Sequence, residues 1–252
     1  MAPKAYPVGI ICVLPLDLLA VRKHKVVAAC LPDGEYGTNS AADVAANMGR
    51  TFPSVKLALL VGIGGGVPSL ANDIRLGDVV VSRPTGTSPG IIQDEMGKVL
   101  ENRGFTQVGS LQPLPRLIMT APSNLRSDPY LSATRRDCGL STRISIPRKD
   151  LDRLFTSDYS HDPQHATCDN CDLARLQARS PRPSDKNNGH HPHIHYDTIA
   201  SGNRVVRDAK FRDHWGTRSN ILCFEMEAAG IMNTLSCLVI RGICDYSGQP
   251  QE

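Results

Sequence analysis

The sequence predicts an α/β fold with a central sheet covered on both faces, and three observations support this prediction. Short apolar segments of strand length recur through the first half of the chain. An alanine-rich segment of helical character lies between two of them, at residues 40–48. Glycines bound several of the segments, most clearly Gly64, Gly65 and Gly66. Continuous apolar strands that alternate with helices are typical of sheets buried on both faces.

Four strands are predicted in the first half, at residues 8–13, 25–31, 57–63 and 78–82. The glycines at 64–66 are expected to form a tight turn after the third strand, because glycine tolerates the backbone angles of such turns. They could also let a ligand approach the backbone, although the Lys-Ser/Thr continuation of a phosphate-binding loop is missing. Ligands of α/β folds bind at the carboxyl ends of strands. We therefore expect the binding site near Gly64 and Gly65.

Composition favours one domain over residues 1–252 and argues against several functional classes. The 252 residues, 40% of them hydrophobic, are enough for one large core. A net charge of +3 is too small to indicate a nucleic-acid partner. No apolar run reaches the ~18 residues that span a bilayer, so no membrane association is expected. Several of the eight cysteines lie in apolar runs, which favours reduced thiols and a cytoplasmic or nuclear location.

The middle of the chain differs in character from the first half. From about residue 122 to 192 it is rich in Arg, Asp, Ser, Pro and His, with little hydrophobic periodicity. A loop-rich insertion within the single domain explains this composition better than a second domain does. Residues 180–189 are typical of a mobile loop. Residues 195–203 return to strand-and-turn character.

A CxxC pattern at Cys168 and Cys171 lies inside this insertion. Six histidines surround it: His161, His165, His190, His191, His193 and His195. Structural zinc is one interpretation, because two cysteines and two histidines can satisfy tetrahedral coordination. Free thiols in a loosely packed insertion are the other. The second is favoured because a second close pair of ligands with zinc-finger spacing is absent, so no metal is predicted.

Three carboxylates lie inside apolar stretches towards residue 245. Glu225 and Glu227 are predicted at the start of a helix, and Asp245 at the tip of the following strand. Buried carboxylates are costly unless paired, so either a polar ligand or an internal partner is expected for them. For Glu225 the alternative is an acidic residue that complements the helix dipole.

Residues 224–230 and 240–245 resemble the ribose-binding and catalytic stretch of the nucleoside phosphorylase and nucleosidase superfamily. The resemblance covers most of the chain and is closest to versions in filamentous fungi, often the N-terminal domains of larger signalling proteins. It implies a three-layer sandwich with a central mixed sheet, a purine nucleoside or nucleotide as ligand, no cofactor and a homo-oligomer. It also implies that Met226 and Glu227 bind the ribose and that Asp245 protonates the purine at N7.

Residues 200–203 resemble the superfamily's Ala-Ser-Gly-Asp turn, with Asn203 in place of the aspartate. The resemblance implies that Val205 and Val206 lie against the purine, although the usual stacking aromatic is missing. The implied reaction needs a proton donor near the base, groups that fix the ribose hydroxyls, and an oriented nucleophile. Burial beside apolar neighbours is expected to favour the protonated form of Asp245.

Water is predicted to be the nucleophile in preference to phosphate. Leu60 and Ile63 occupy positions at which, by resemblance, hexameric phosphorylases carry an arginine and a serine. Asp17 stands where those phosphorylases carry another arginine and the nucleosidases a water-activating glutamate. A carboxylate there would repel phosphate and could orient water. The alternative for Asp17 is a solvated loop or helix-cap residue.

Residues 34–40 offer hydroxyls and backbone amides at a predicted helix start, which is the chemistry of an anion site. They could receive phosphate or the 5′-phosphates of a nucleotide. N-capping by Thr38 or Ser40 is the favoured alternative.

Two departures from the superfamily pattern bear on activity. Relatives carry a further helix-turn and strand before residue 25, and a long helix after the position of Asp245, whereas this sequence stops at Glu252. The expectation is that sheet edge and apolar surface would be left uncovered. Three functions therefore remain open: a purine nucleosidase, which we favour; a phosphate-dependent phosphorylase; and a catalytically inactive nucleoside-binding or signalling module.

Overall fold

A mixed sheet forms the centre of the molecule. The computed structural model describes residues 8–13, 26–86, 88–99, 105–107, 111–112, 114, 119–120, 151–159, 168, 170–182 and 192–248. Within these ranges the strands are β1 (Val8–Cys12), β2 (Val27–Cys30), β3 (Leu57–Gly66), β4 (Val79–Ser82), β5 (Ile91–Gln93), β6 (Gly97–Val99), β7 (Phe105–Gln107), β8 (Ile194–Ser201), β9 (Ile221–Glu225) and β10 (Cys237–Tyr246). The α-helices are α1 (Thr38–Thr51), α2 (Ala209–Ser219) and α3 (Ala228–Ile231).

Five strands of the main sheet form a closed ring, in which each strand pairs with two others. β3 pairs in parallel with β10, β10 antiparallel with β4, β4 in parallel with β8, β8 in parallel with β9, and β9 antiparallel with β3. β1 and β2 extend the sheet beyond β3, and β5 adds to β8. The predicted central mixed sheet is thus confirmed. Its closure brings the ends of β3, β9 and β10 together.

Apolar side chains pack on both faces of this sheet. On β8, Ile199 faces a cluster that includes α1 and α3, whereas the next residue, Ala200, faces a second cluster around Trp215 of α2. Alternate residues of a strand point to opposite faces, so the two clusters lie on opposite sides. Helices therefore cover both faces, which confirms the three-layer arrangement.

The predicted turn at the three glycines is wrong, because Gly64, Gly65 and Gly66 continue β3. Gly65 is paired with Phe224 of β9 on one side and with Asp245 of β10 on the other. None of the three glycines has a positive φ angle. A Cβ at position 64 would lie 2.8 Å from the carbonyl oxygen of Phe224. These glycines therefore allow close packing of neighbouring strands.

Buried ion pairs hold the described part of the predicted insertion against the sheet. Arg182 is 7% exposed, and its Nη2 lies 2.6 Å from Oδ2 of Asp78, which is completely buried before β4. Asp78 also accepts hydrogen bonds from the backbone amides of Arg75 and His193, and His195 Nε2 lies 2.9 Å from Oδ2. The predicted mobile loop is wrong at Arg182. The remainder of that loop, 183–189, falls outside the described residues.

These contacts also fix the ionisation of Asp78. Burial by itself would raise the pKa of this carboxyl, but the hydrogen bonds from Arg182, His195 and the two backbone amides outweigh it and hold the pKa far below its ordinary value. A lowered pKa means that the carboxylate stabilises the fold above about pH 4, the ordinary range of an aspartate, and that this contribution is lost as the pH falls.

Replacing Arg182 with Met is expected to lower the free energy of unfolding at pH 7 by about 3–5 kcal/mol, because Asp78 would keep a buried charge without its ion-pair partner. Urea unfolding followed by circular dichroism measures this loss. The difference from the wild type should narrow below about pH 4. Arg175→Met is the matched control, since Arg175 pairs with the exposed Asp158 in the same region and should matter much less. Equal losses in the two variants would contradict the prediction.

Two further observations concern metals and membranes. Cys168 and Cys171 form a turn in which the Cys171 amide donates to the Cys168 carbonyl. Across the ranges that the structure describes, no three Asp, Glu, His or Cys side chains cluster as metal ligands would, while four of the six histidines lie outside those ranges.

No helix in the described part of the chain has the length and apolar character needed to cross a bilayer.

Candidate active site

A buried cluster of one arginine and two glutamates lies where β9 and β10 meet. Arg241 of β10 is completely buried, and its Nη2 pairs with Oε2 of Glu225 and, at 3.2 Å, with Oε2 of Glu227. Glycine at position 62 makes room for the arginine, because a Cβ there would lie 2.1 Å from Arg241 Nη1. We call these three charged residues the Glu–Arg–Glu cluster.

Glu225 also organises the local backbone. It is the last residue of β9, and its carboxylate accepts hydrogen bonds from the amides of Glu227 and Ala228, each at 3.1 Å. These amides begin the short helix α3, so the predicted placement of acidic residues at a helix start is correct. The alternative interpretation, an acidic residue that complements a helix start, describes Glu225 well. Its second contact, with Arg241, goes beyond that interpretation.

The cluster carries more negative than positive charge. Burial raises the pKa of the Glu227 carboxyl, and repulsion from Glu225 adds to this, while Arg241 opposes it. Burial would lower the pKa of Arg241, but the two glutamates outweigh it and raise the pKa above its ordinary value. The arginine therefore stays charged. A further hydrogen-bond donor beside Glu227 would favour the ionised form of this carboxyl.

The N-terminus of α1 faces this cluster. The amide of Gly37 donates to Oε1 of Glu227 at 3.4 Å, and both the amide and the hydroxyl of Thr38 donate to Oδ1 of Asn203 at 3.0 Å. The predicted N-capping by Thr38 or Ser40 is therefore wrong. The cap is supplied by Asn203, far away in sequence. The Gly37 and Thr38 amides are occupied by protein side chains, which argues against the anion-site interpretation of residues 34–40.

Asp245 is the second-last residue of β10 and lies beside the three glycines of β3. A register shift between Ile243 and Asp245 leaves Cys244 exposed and sets Asp245 opposite Gly65. Asp245 is half-buried, and a Cβ on Gly65 would lie 2.9 Å from its Oδ1. The Cys244 thiol lies 3.3 Å from Oδ2. Glycine at position 65 thus leaves space around the carboxyl group.

Asp245 and the Glu–Arg–Glu cluster approach the end of β3 from opposite faces. Gly62 and Gly64 lie beneath Arg241, whereas Gly65 lies beneath Asp245. Side chains of successive strand residues point to opposite faces. A nucleoside that contacts both groups must therefore lie across the carboxyl end of β3, which is where ligands of α/β folds bind.

The predicted base-binding residues are separated in the structure. Val205 is 55% exposed, whereas Val206 packs against the apolar cluster of Trp215 and Phe224. The Val206 carbonyl accepts a hydrogen bond from Gly248 at 2.9 Å, just beyond Asp245. The two valines therefore do not present one continuous apolar face. Of the two, Val205 is the exposed valine.

The other predicted site residues divide into described and undescribed positions. Met226 lies between Glu225 and Glu227 in the sequence, and its side chain is half-buried. Asp17 lies outside the described residues. Arg241 is the functional candidate that sequence reasoning missed. A charged residue inside the apolar segment 237–243 was the available signal, because a lone arginine in a buried strand needs a charged partner.

A known protein is similar to this chain in sequence over nearly the whole length of the chain. The chain is 36% identical to a nucleotide-binding leucine-rich repeat (NLR)-like protein from Hyaloscypha variabilis over an alignment of 281 residues, which covers 98% of this chain and 27% of that protein. The chain thus spans only part of the relative's length. No protein-family model matches the chain.

Several solved structures share the fold. The 5′-methylthioadenosine/S-adenosylhomocysteine nucleosidase from Helicobacter pylori has a TM-score of 0.55 at 13% identity, covering 96% of this chain and 86% of that one. The Neisseria meningitidis enzyme of the same name, in complex with methylthio-immucillin-A, has a TM-score of 0.54 at 14% identity, with coverages of 94% and 85%. A futalosine hydrolase mutant from H. pylori reaches 0.56 at 12% identity, with coverages of 98% and 90%. These likenesses show the fold: the chain shares the α/β fold of these nucleosidases and of the futalosine hydrolase, which agrees with the fold that the sequence resemblance implied.

Proposed function

We propose that this chain hydrolyses the N-glycosidic bond of a purine nucleoside or nucleotide and releases the free base and the sugar. The observation that carries the proposal is the buried Glu–Arg–Glu cluster at the end of β3, with Asp245 on the other face of the same strand end. Glu227 accepts hydrogen bonds from ribose hydroxyls, and Met226 packs against the sugar. Asp245 donates a proton to the leaving purine at N7, and Val205 contacts the base.

Each role has a chemical reason. Bond cleavage leaves positive charge on the ribose and negative charge on the base, so a nearby acid and a nearby carboxylate lower the barrier in complementary ways. A carboxylate that accepts a hydroxyl hydrogen bond binds it roughly twice as strongly as a neutral acceptor does. Arg241 holds the two glutamates in fixed positions, which reduces the cost of ordering them when the sugar binds.

Hydrolysis is favoured over phosphorolysis because the groups of the site that could bind phosphate are already paired or are apolar. Arg241 is completely buried and already pairs with two carboxylates. The amides of Gly37 and Thr38 donate to Glu227 and Asn203. Ile63, near the end of β3, presents an apolar side chain that is 44% exposed. These described groups offer little to a doubly charged phosphate. Asp17 remains the predicted residue for orienting water.

The decisive experiment uses adenosine, inosine, guanosine and ATP, each with and without phosphate. Free ribose, or its 5′-phosphorylated form from ATP, supports hydrolysis. Release of base that depends on phosphate and yields ribose 1-phosphate would replace hydrolysis by phosphorolysis. The proposal includes a cytoplasmic location and a homo-oligomer, which fractionation and analytical ultracentrifugation test.

A second candidate function is a nucleoside-binding module without turnover. It is favoured by one finding, the relative described as an NLR-like protein, of which this chain matches 27%. Calorimetry separates the two functions. Binding of a purine nucleoside without release of base would favour the module over the enzyme.

Replacing Glu227 with Gln is expected to weaken nucleoside binding by about 10- to 100-fold, the loss associated with hydrogen bonds to a charged group. The fold should not be destabilised at pH 7. Because burial raises the pKa of Glu227 above its unfolded value, the ionised form is disfavoured in the folded state. The stability of the wild type should therefore fall as the pH rises from about 4 through the raised pKa, and that fall should be smaller in the variant.

Calorimetry measures the binding, and urea unfolding at pH 4 and pH 7 measures the stability. Glu35→Gln is the control, since Glu35 precedes α1 and its carboxylate accepts a hydrogen bond from the Ser40 hydroxyl at an exposed position. Unchanged nucleoside affinity in Glu227→Gln would remove Glu227 from the proposed ribose site.

A further inference from the structure

The end of β10 that carries Asp245 pairs with residues that have no side chains. After the register shift, Asp245 and Tyr246 lie opposite Gly65 and Gly66 of β3. A bulge in a strand locally disrupts the hydrogen-bonded ladder and re-aims the side chains that follow it. Glycine partners cannot fix that new direction by side-chain packing across the pair. The fixing contacts must come from elsewhere.

Residues of the predicted insertion supply such contacts to Tyr246, the last residue of β10. Its side chain is buried, with 2% exposure, and its hydroxyl donates a hydrogen bond to Oδ1 of Asp152. The guanidinium carbon of Arg179 lies 5.3 Å from the centre of the tyrosine ring. We call Tyr246, Asp152 and Arg179 the tyrosine brace.

The brace is itself firmly held. Asp152 has a side chain that is 6% exposed and accepts hydrogen bonds from Arg179 Nη2 at 2.7 Å and from the Leu76 amide at 3.3 Å. Arg179 also donates to the carbonyl of Ile74 at 3.1 Å. A tyrosine whose hydroxyl meets a buried, charge-paired carboxylate has little freedom to move. The backbone on either side of it is restricted with it.

We propose that the tyrosine brace positions Asp245 for proton transfer, so that Tyr246, Asp152 and Arg179 are positioning residues of the site. This inference rests on the proposed function. Tyr246 and Asp245 are neighbours on a strand, so their side chains point to opposite faces. The brace therefore holds the backbone from the face opposite to the Asp245 carboxyl. It fixes the direction of the acid without filling the space beside the carboxyl group of Asp245.

Tyr246→Phe tests the brace, because it removes the hydroxyl that Asp152 accepts and keeps the ring beneath Arg179. We expect kcat for nucleoside cleavage to fall about tenfold, the scale of a small misplacement of a catalytic group, with KM changed less than about twofold. Hydrogen exchange at residues 243–248 should become faster in the free protein.

Tyr159→Phe is the matched control. The Tyr159 hydroxyl accepts a hydrogen bond from the Asp172 amide at 3.0 Å in the same described region, and no residue of β10 takes part in that bond. This variant should leave kcat, KM and exchange at 243–248 unchanged.

The outcomes separate the brace from the proposed function. Unchanged exchange at 243–248 in Tyr246→Phe would overturn the brace, whether or not the protein turns over. A lower unfolding temperature with unchanged kcat would assign the contact to stability alone and overturn the positioning role. If the wild-type protein binds nucleosides without releasing base, both the proposed function and the positioning role are overturned. If the wild type releases base and Tyr246→Phe does so at the same rate, only the positioning role of the brace is overturned.

Discussion

Replacing Asp245 with Asn is expected to lower the rate of base release by about two or more orders of magnitude, the usual contribution of a positioned general acid. Asparagine has nearly the same shape and can still accept a hydrogen bond, but it cannot give a proton to the departing purine. Because Asp245 lies over Gly65, which leaves space for either side chain, the fold should tolerate the change. Steady-state release of purine, measured with the best substrate, reports the effect.

The expected signature is a loss in kcat with nucleoside affinity largely retained. Asp43→Asn is the control, because Asp43 is exposed on α1. If Asp245→Asn released base at the wild-type rate, another group would have to protonate the purine. A loss confined to KM would instead assign Asp245 to binding.

Replacing Arg241 with Met is expected to lower the free energy of unfolding by about 3–5 kcal/mol, the loss typical of a buried ion pair deprived of one partner. The variant would leave Glu225 and Glu227 buried within one cluster with no cation between them. Nucleoside binding should be lost as well, because the arginine would no longer hold the two glutamates in fixed positions. Urea unfolding at pH 7 measures the stability, and calorimetry measures the binding.

A second variant separates lost pairing from lost packing. In the triple change of Arg241→Met with Glu225→Gln and Glu227→Gln, the uncompensated charges are gone, so much of the stability should return while nucleoside binding stays lost. Arg218→Met, at an exposed position on α2, is the control for removing an arginine. A loss of stability in Arg241→Met no larger than in this control would contradict the account of the Glu–Arg–Glu cluster.

Local sequence patterns predicted the elements that frame the site. The strands β1, β2 and β4 and the helix α1 lie within a few residues of the predicted segments, because each has a hydrophobic pattern that its own residues define. The order of Glu225, Glu227 and Asp245 correctly placed a helix start and a strand tip close to each other in sequence. The resemblance carried by these residues was enough to predict the fold.

Other features could not be predicted locally, since each depends on a partner distant in sequence. The end of β3 was predicted as a turn because glycine is common in turns, yet the close approach of β9 and β10 requires glycine there for a different reason. The N-terminus of α1 was assigned a cap within its own segment, whereas Asn203 provides it across 165 residues. Arg182 was predicted in a mobile loop because its neighbours are polar.

The sequence by itself determined the α/β architecture, the apolar strands and the positions of the acidic residues along the chain, because hydrophobic periodicity and residue type act over a few neighbouring residues. Only the tertiary structure decided that Arg241 neutralises part of the glutamate pair, that Asp245 reaches the end of β3 from the other face, and that Asp152 holds Tyr246. The physical reason is that buried charges are stable only with their partners at hydrogen-bond distance, and those distances are set by how the strands close around one another.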